Sequence, residues 1–156
     1  MKAVLILFCL VFAYTSSGGT TGKPVPAEEE LMELALIYRL KEIGSKLSPG
    51  DPTLIFVSAS KESEARVRAA CRYDWLRPAD TFAMSRDGIY RLRSERNRVG
   101  YKLSAEGFEI FQNGWRCSIT IYSGPLGCSS LRCYFRREGS RWIVEKVVED
   151  DSLPVS

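Results

Sequence analysis

The fold class this sequence predicts is α+β, with N-terminal helices packed on one face of a curved antiparallel meander sheet. Two observations carry that expectation. The apolar period is helical near the N-terminus and becomes alternating from about residue 81. Asn113-Gly114 then falls between two alternating runs, the short-range signature of a β-hairpin. The order is helix, short strand, helix, then meander, which segregates the helices to one side of the sheet.

The first helix is expected over about residues 27–47. Met32, Leu36, Leu40, Ile43 and Leu47 recur at steps of three and four, and Leu31, Leu34, Ala35 and Tyr38 widen the stripe. Pro26 suits a first helical turn, and Glu28, Glu29 and Glu30 suit the positive end of the helix dipole. Ser48-Pro49-Gly50-Asp51-Pro52 ends it. Thr53 to Val57 is apolar and β-branched, a short strand. Ser58 or Ser60 caps a second helix over about 61–73, with Glu62 and Glu64 in its first turn. Residues 74–80 read as a loop.

The alternating half predicts strands at 81–85, 89–93, 99–103, 108–112, 115–122, 131–137 and 141–148. A type I′ turn at Asn113-Gly114 would set Ile110 opposite Cys117, Phe108 opposite Ile119, Phe111 opposite Arg116 and Glu109 opposite Ser118. One face is then mostly apolar and the other mixed, as in a sheet covered on one side. Tyr90, Tyr101, Phe108, Phe111, Trp115, Tyr122, Tyr134 and Trp142 supply aromatics to this half, most of them for the core. The last strand, Gly139-x-x-Trp142-x-Val144, resembles the ending of many small exported bacterial domains with the cone-shaped nuclear-transport-factor-like fold. The cystatin-like fold shares the layout. Both are fold-level analogies and assign no function. The Q-x-V-x-G inhibitory loop of cystatins is absent.

The N-terminus has the three parts of a cleavable signal peptide over residues 1–20. Lys2 supplies the charge, Ala3 to Ala13 the apolar run, and Thr15 to Gly19 the small residues of a cleavage site. The apolar run is short of the ~20 residues a spanning helix needs. A secreted or periplasmic protein is therefore expected, with a flexible stretch at 21–26, one domain over 27–148, a frayed end at 149–156 and no membrane span in the mature chain. Four cysteines survive cleavage: Cys71, Cys117, Cys128 and Cys133. An even count in an exported chain implies two disulfides. Sequence does not choose among the three pairings; Cys71–Cys117 with Cys128–Cys133 is the preferred one. Close cysteine pairs of the zinc-site kind are absent, and no metal or cofactor is expected.

The chain contains no histidine. That removes Ser-His-Asp and Cys-His catalysis, H-E-x-x-H zinc proteases and histidine-ligated haem. Walker, G-x-S-x-G and C-x-x-C motifs are also missing. Ser58-Ala59-Ser60-Lys61 matches S-x-x-K, but S-D-N and K-T-G are absent, so a helix cap beside a solvated Lys is the simpler account. Asp80, Asp87, Glu106 and Glu109 are the carboxylates a glycosidase pair could draw on, with nothing to bring two together. No catalytic residue is assigned.

The basic middle is the functional lead. Arginine outnumbers lysine 15 to 7, and residues 86–141 hold ten arginines and Lys102 against five acids, while 28–33 and 145–151 are acidic. Arg91 and Arg93 share a strand face, Arg96 and Arg98 flank a turn, and Lys102 and Arg116, with Arg132 and Arg136, join that surface if the strands align. Such a face suits an acidic protein or an anionic polymer. A net charge of +3, or +2 without Lys2, is low for a dedicated nucleic-acid binder. The expectation is an exported, non-enzymatic binding or accessory module. The alternatives are a small-molecule pocket binder or enzyme using Asp, Glu or Tyr, and a disulfide-stapled structural envelope protein. A homodimer through the sheet is a further expectation, if both faces of the last strand are covered.

Overall fold

The computed structural model describes residues 28–149. The expected signal peptide, the expected flexible stretch at 21–26 and the chain past residue 149 lie outside the described residues. Two helices pack on a curved, open, seven-stranded sheet, the expected α+β class.

Helix α1 runs Glu28–Lys46 with its acids in the first turn and Lys46 in the last, both favourable to the dipole. Leu31, Ala35, Leu36 and Leu40 are fully buried. Tyr38, expected on the stripe, is 42% exposed, because it lies on the side of the helix away from the sheet. Strand β1, Leu54–Val57, is buried at every position. It pairs parallel with β4, Val99–Phe111, and both its faces are covered, which explains an apolar run without alternation. Ile55 and Val57 enter the main core, whereas Leu54 and Phe56 enter a second cluster. Helix α2, Lys61–Ala70, is capped by the Ser60 hydroxyl, which accepts from the Ser63 N–H. It ends at Cys71, earlier than expected.

The sheet order is β2-β3-β4-β5-β6-β7, with β1 on the other edge of β4. Strands β2 (Phe82–Met84) and β3 (Tyr90–Leu92) are short. Strands β5 (Gly114–Gly124), β6 (Gly127–Glu138) and β7 (Arg141–Glu149) are long. The two strands expected at 99–103 and 108–112 are one strand, β4, interrupted by a bulge between Glu106 and Glu109 where Gly107 takes φ +69°.

The β4–β5 turn corrects the expected register. Phe111 pairs Gly114, so the turn residues are Gln112 and Asn113, one position earlier than Asn113-Gly114. Glu109 therefore faces Arg116 and Ile110 faces Trp115. Gln112 takes the positive φ of 53°. Gly114 is needed for a different reason: a Cβ there would stand 1.9 Å from the Phe135 carbonyl oxygen of β6. The glycine serves a close backbone approach instead of the turn.

Strand parity sorts the rest. Leu103, Ala105, Cys117, Ile119, Cys133 and Phe135 point to the helix face and meet α1 and α2 in the main core. Gly100, Tyr90, Lys102, Tyr122 and Arg116 point to the outer face. At one end of that outer face Leu54, Phe56, Phe82 and Leu92 form the second cluster, with the Phe56 ring stacked on Phe82 (4.8 Å) and edge-on to Tyr90 (4.9 Å). A Cβ on Gly100 would lie 2.2 Å from the Phe82 ring, so only glycine admits that ring.

Candidate functional site

Residues 72–98 hold seven arginines, no lysine and four acids. The fold gathers them at one end of the sheet, on the α2–β2 connection, the β2–β3 hairpin and the β3–β4 turn. Two clefts lie there.

The first is a groove of about 420 Å³ lined by Arg86, Arg91, Arg93 and Arg96 together with Met84 and Ser85. No carboxylate belongs to its lining. The hairpin that carries it is built locally. The Ser85 N–H donates to the Ile89 carbonyl (2.9 Å), the Gly88 N–H donates to the Ser85 carbonyl (3.0 Å), and Gly88 takes φ +76°. Asp87 accepts from the Ser85 hydroxyl, from the Ile89 N–H at 3.3 Å and from Arg91 Nη2 at 2.8 Å. The Ser85 hydroxyl, and then Arg91, hold the Asp87 carboxyl down at about 2. Tyr122 of β5 donates to the Gly88 carbonyl (3.1 Å) and ties the turn to the long strands.

Within this groove the arginines differ. Arg91 is committed to structure: Nε meets Ser85 Oγ, Nη1 the Arg96 carbonyl and Nη2 Asp87. Arg93 is anchored through Nε to the carbonyls of Asp80 (3.0 Å) and Phe82 (3.1 Å), which leaves the far end of its guanidinium outward. Arg86 and Arg96 make no side-chain hydrogen bond or ion pair among the described residues, and both are exposed. Met84 beside them is 63% exposed. The groove thus offers two unengaged guanidiniums, one half-engaged, and an apolar contact.

The second cleft, about 530 Å³, lies between the α1–β1 and α2–β2 connections. Arg72, Arg77 and Arg98 line it with Asp51 and Asp74. Tyr73 and Trp75 stack at 4.6 Å and 10°. The segment is pinned to β1, since the Ile55 N–H donates to the Trp75 carbonyl and the Arg77 N–H to the Ile55 carbonyl, both at 2.9 Å. The turn between Arg93 and Arg98 separates the two clefts.

The residues expected to share one basic face fall into three places. Arg91, Arg93 and Arg96 meet in the groove. Arg98 lines the neighbouring cleft, 3.9 Å from Glu95. Lys102 and Arg116 do not join them. Arg91 pairs Val99 and Tyr90 pairs Gly100, so Lys102 has the parity of Tyr90 and points to the opposite face from Arg91. Arg116 lies on that outer face near the far end of the sheet, bound to Glu109 at 2.5 Å and set over the Phe111 ring at 4.7 Å. Arg136, also on the outer face, pairs with Glu138 at 3.2 Å. Arg72, Arg77 and Arg86 were not singled out by periodicity, because loop residues have none. The visible signal was the density of arginine without lysine over 72–98.

The carboxylates weighed for hydrolysis are scattered: Asp87 sits on the β2–β3 turn, and Glu109 is held by Arg116 beyond the bulge. Ser58 is exposed and its N–H donates to the Leu103 carbonyl, while Ser60 is the helix cap. Near that cap the Glu29 and Glu33 carboxylates meet the Ser63 hydroxyl (2.5 and 2.8 Å) and Arg66 (3.1 and 2.6 Å). Hydrogen bonds to Ser63 for Glu29, and to Arg66 for Glu33, lower both carboxyls. This network locks α1 to α2. Each displaced carboxyl among the described residues moves down, as expected of anions held by donors.

The four cysteines are free thiols in this structure. The preferred pairing is not formed. Cys128 and Cys133 lie five residues apart on one extended strand, on opposite faces and about 16 Å apart at ~3.3 Å per residue, beyond the reach of a disulfide. Cys71 closes α2 and lies 3.9 Å from the Ile37 carbonyl. Among the described residues no group of His, Cys, Asp and Glu is placed to hold a metal, and no helix is long and apolar enough to cross a membrane. Comparison with protein-family models, with curated proteins and with solved structures finds no match.

Proposed function

We propose that this chain is an exported, non-enzymatic binding module that docks an anionic partner, an acidic protein segment or an anionic polymer, on its arginine-lined end. The observation that carries the reading is the β2–β3 groove. It has four arginines and no acid in its lining, and among the described residues nothing pairs with the Arg86 and Arg96 side chains. Guanidinium presents a planar fork of donors that matches carboxylate, sulfate and phosphate bidentately. Arg91 spends its donors holding the hairpin, so it shapes the site, while Arg86, Arg93 and Arg96 are the groups left to make contact. Export rests on the three-part N-terminus, Lys2, Ala3 to Ala13 and the small residues after it.

Heparin is a suitable first probe, titrated at two salt concentrations. Affinity should fall steeply with salt, since each neutralised anion releases a counterion. Arg86→Ser with Arg96→Ser should weaken it by about tenfold or more, the loss of one or two charge-assisted contacts. Affinity indifferent to both salt and the double substitution would remove the reading. Export is tested separately, by the N-terminal sequence of the chain recovered outside a host expressing all of it: cleavage near residue 20 supports it, and an intact Met1 in the cell opposes it.

The second cleft favours one other reading. Its stacked Tyr73 and Trp75, with arginines and aspartates on the same wall, suit a small zwitterion or aromatic molecule. Quenching of tryptophan fluorescence that disappears in Trp75→Leu would mark such a ligand.

A further inference from the structure

Cys117 and Cys133 stand directly opposite each other on β5 and β6. Both point to the helix face and both are buried, at 2% and 0% exposure. The pairs on either side, Trp115 with Phe135 and Ile119 with Leu131, are apolar and in register. The neighbouring Cys133 thiol, with burial, pushes the Cys117 thiol well up, as expected of two thiols side by side. Opposed residues of an antiparallel pair have Cα atoms about 4.5 or 5.5 Å apart, inside the ~4.4–6.8 Å range of a disulfide. Neither other cysteine among the described residues competes. Cys128 is exposed and faces Tyr122 across the ladder, and Cys71 rests against α1 at the Ile37 carbonyl.

We infer that Cys117 and Cys133 are the site of a cross-strand disulfide that staples β5 to β6 beneath the helices, leaving Cys71 and Cys128 as thiols. The bond forms by exchange with the disulfide of an oxidised dithiol or of glutathione. One protein thiolate attacks the donor disulfide and expels the first donor thiol. The second protein thiolate then attacks the protein sulfur of the mixed disulfide and expels the other. Two S–H bonds are lost, one S–S bond forms, and the donor disulfide is reduced to two thiols. The raised, buried thiol reacts slowly once folded, so the exchange belongs to folding, before α1 and α2 close over the strands. Once made, the bond is shielded from reductants by the same burial.

The inference relies on an oxidising destination, and its test does not. The full chain is denatured, reduced and refolded in a mixture of reduced and oxidised glutathione, then digested without reduction. Trypsin alone leaves Cys117 and Cys128 on one peptide, between Arg116 and Arg132, so chymotrypsin is added to cut after Tyr122. The result expected is a peptide carrying Cys117 joined to one carrying Cys133, two hydrogens lighter than the sum, with Cys71 and Cys128 open to alkylation. The midpoint of thermal unfolding should also rise against the reduced chain. A Cys71–Cys117 or Cys128–Cys133 linkage, or all five cysteines of the full chain alkylated after refolding to the native circular dichroism, would overturn it. Retention of the chain inside the host would defeat export while leaving this pairing intact, so the two failures are told apart.

Discussion

The helix-covered half and the arginine end are built on different terms. The first joins fifteen buried residues from both helices, the α2–β2 connection and four strands (β1, β4, β5 and β6) into one core, under long strands of nine to thirteen residues. The second rests on four buried residues, Leu54, Phe56, Phe82 and Leu92, under strands of three. Buried apolar area sets most of the stability, so the large core holds the fold and the small one holds only the hairpin on top of it. The charges also differ in their use. On the helix-covered half Arg66 pairs with Glu29 and Glu33, Arg39 and Lys46 with Glu42, and Arg116 with Glu109. At the hairpin end several guanidiniums remain unengaged. A recognition surface on short loops over a rigid support is a common division of labour, because contact residues can vary there without unsettling the core.

Truncating the large core should break the comparison most severely. Phe135→Ala, at a site 2% exposed, should cost about 3–5 kcal/mol, and Leu36→Ala about 2–5 kcal/mol, read from denaturant unfolding. Next comes the small core. Gly100→Ala pushes a methyl into the Phe82 ring and should cost about 1–3 kcal/mol. Its effect should concentrate on the hairpin, with faster hydrogen exchange at Phe82–Met84 and Tyr90–Leu92 than at β5 and β6. Equal acceleration throughout would mean that the two cores unfold as one.

The smallest effect is electrostatic. Asp87 titrates at about 2 in the fold against an ordinary 3.8, so its carboxylate favours the folded state above about pH 4, and that contribution is lost as pH falls through 2. Glu29 and Glu33 are lowered from 4.5 and act in the same direction, their contribution lost as acid protonates them. Stability should therefore decline below about pH 5, and Asp87→Asn should flatten the part of that decline between 4 and 2. An unchanged acid limb in Asp87→Asn would show that the hairpin ion pair contributes nothing.

Periodicity made the helix-covered half legible and left the other end dark. The spacing of Leu36 and Leu40 located α1 within a residue or two, and alternation found every strand of the meander. It failed where one residue does two jobs. Gly114 reads as a turn glycine, yet its missing Cβ serves the Phe135 carbonyl, so the turn moved to Gln112-Asn113. Gly107 hides a bulge that joins two expected strands into one. Parity also decided the site. Arg91 and Lys102 are basic and close in sequence, but adjacent antiparallel pairing puts them on opposite faces, which composition cannot reveal. Asp87-Gly88 was the readable sign of the hairpin that presents the groove.

The most direct measurement is the affinity of the full chain for heparin in two double variants of equal charge change. One carries Arg86→Ser and Arg96→Ser in the groove, the other Lys102→Ser and Lys146→Ser on the outer face, where Lys146 of β7 pairs Tyr134 and sits 4.8 Å over its ring. Both remove two cations, so a purely global electrostatic attraction would weaken equally in each. A docking end built from the β2–β3 groove predicts a loss of about tenfold or more in the first and less than about twofold in the second. Equal losses, or a larger loss in the lysine variant, would contradict it.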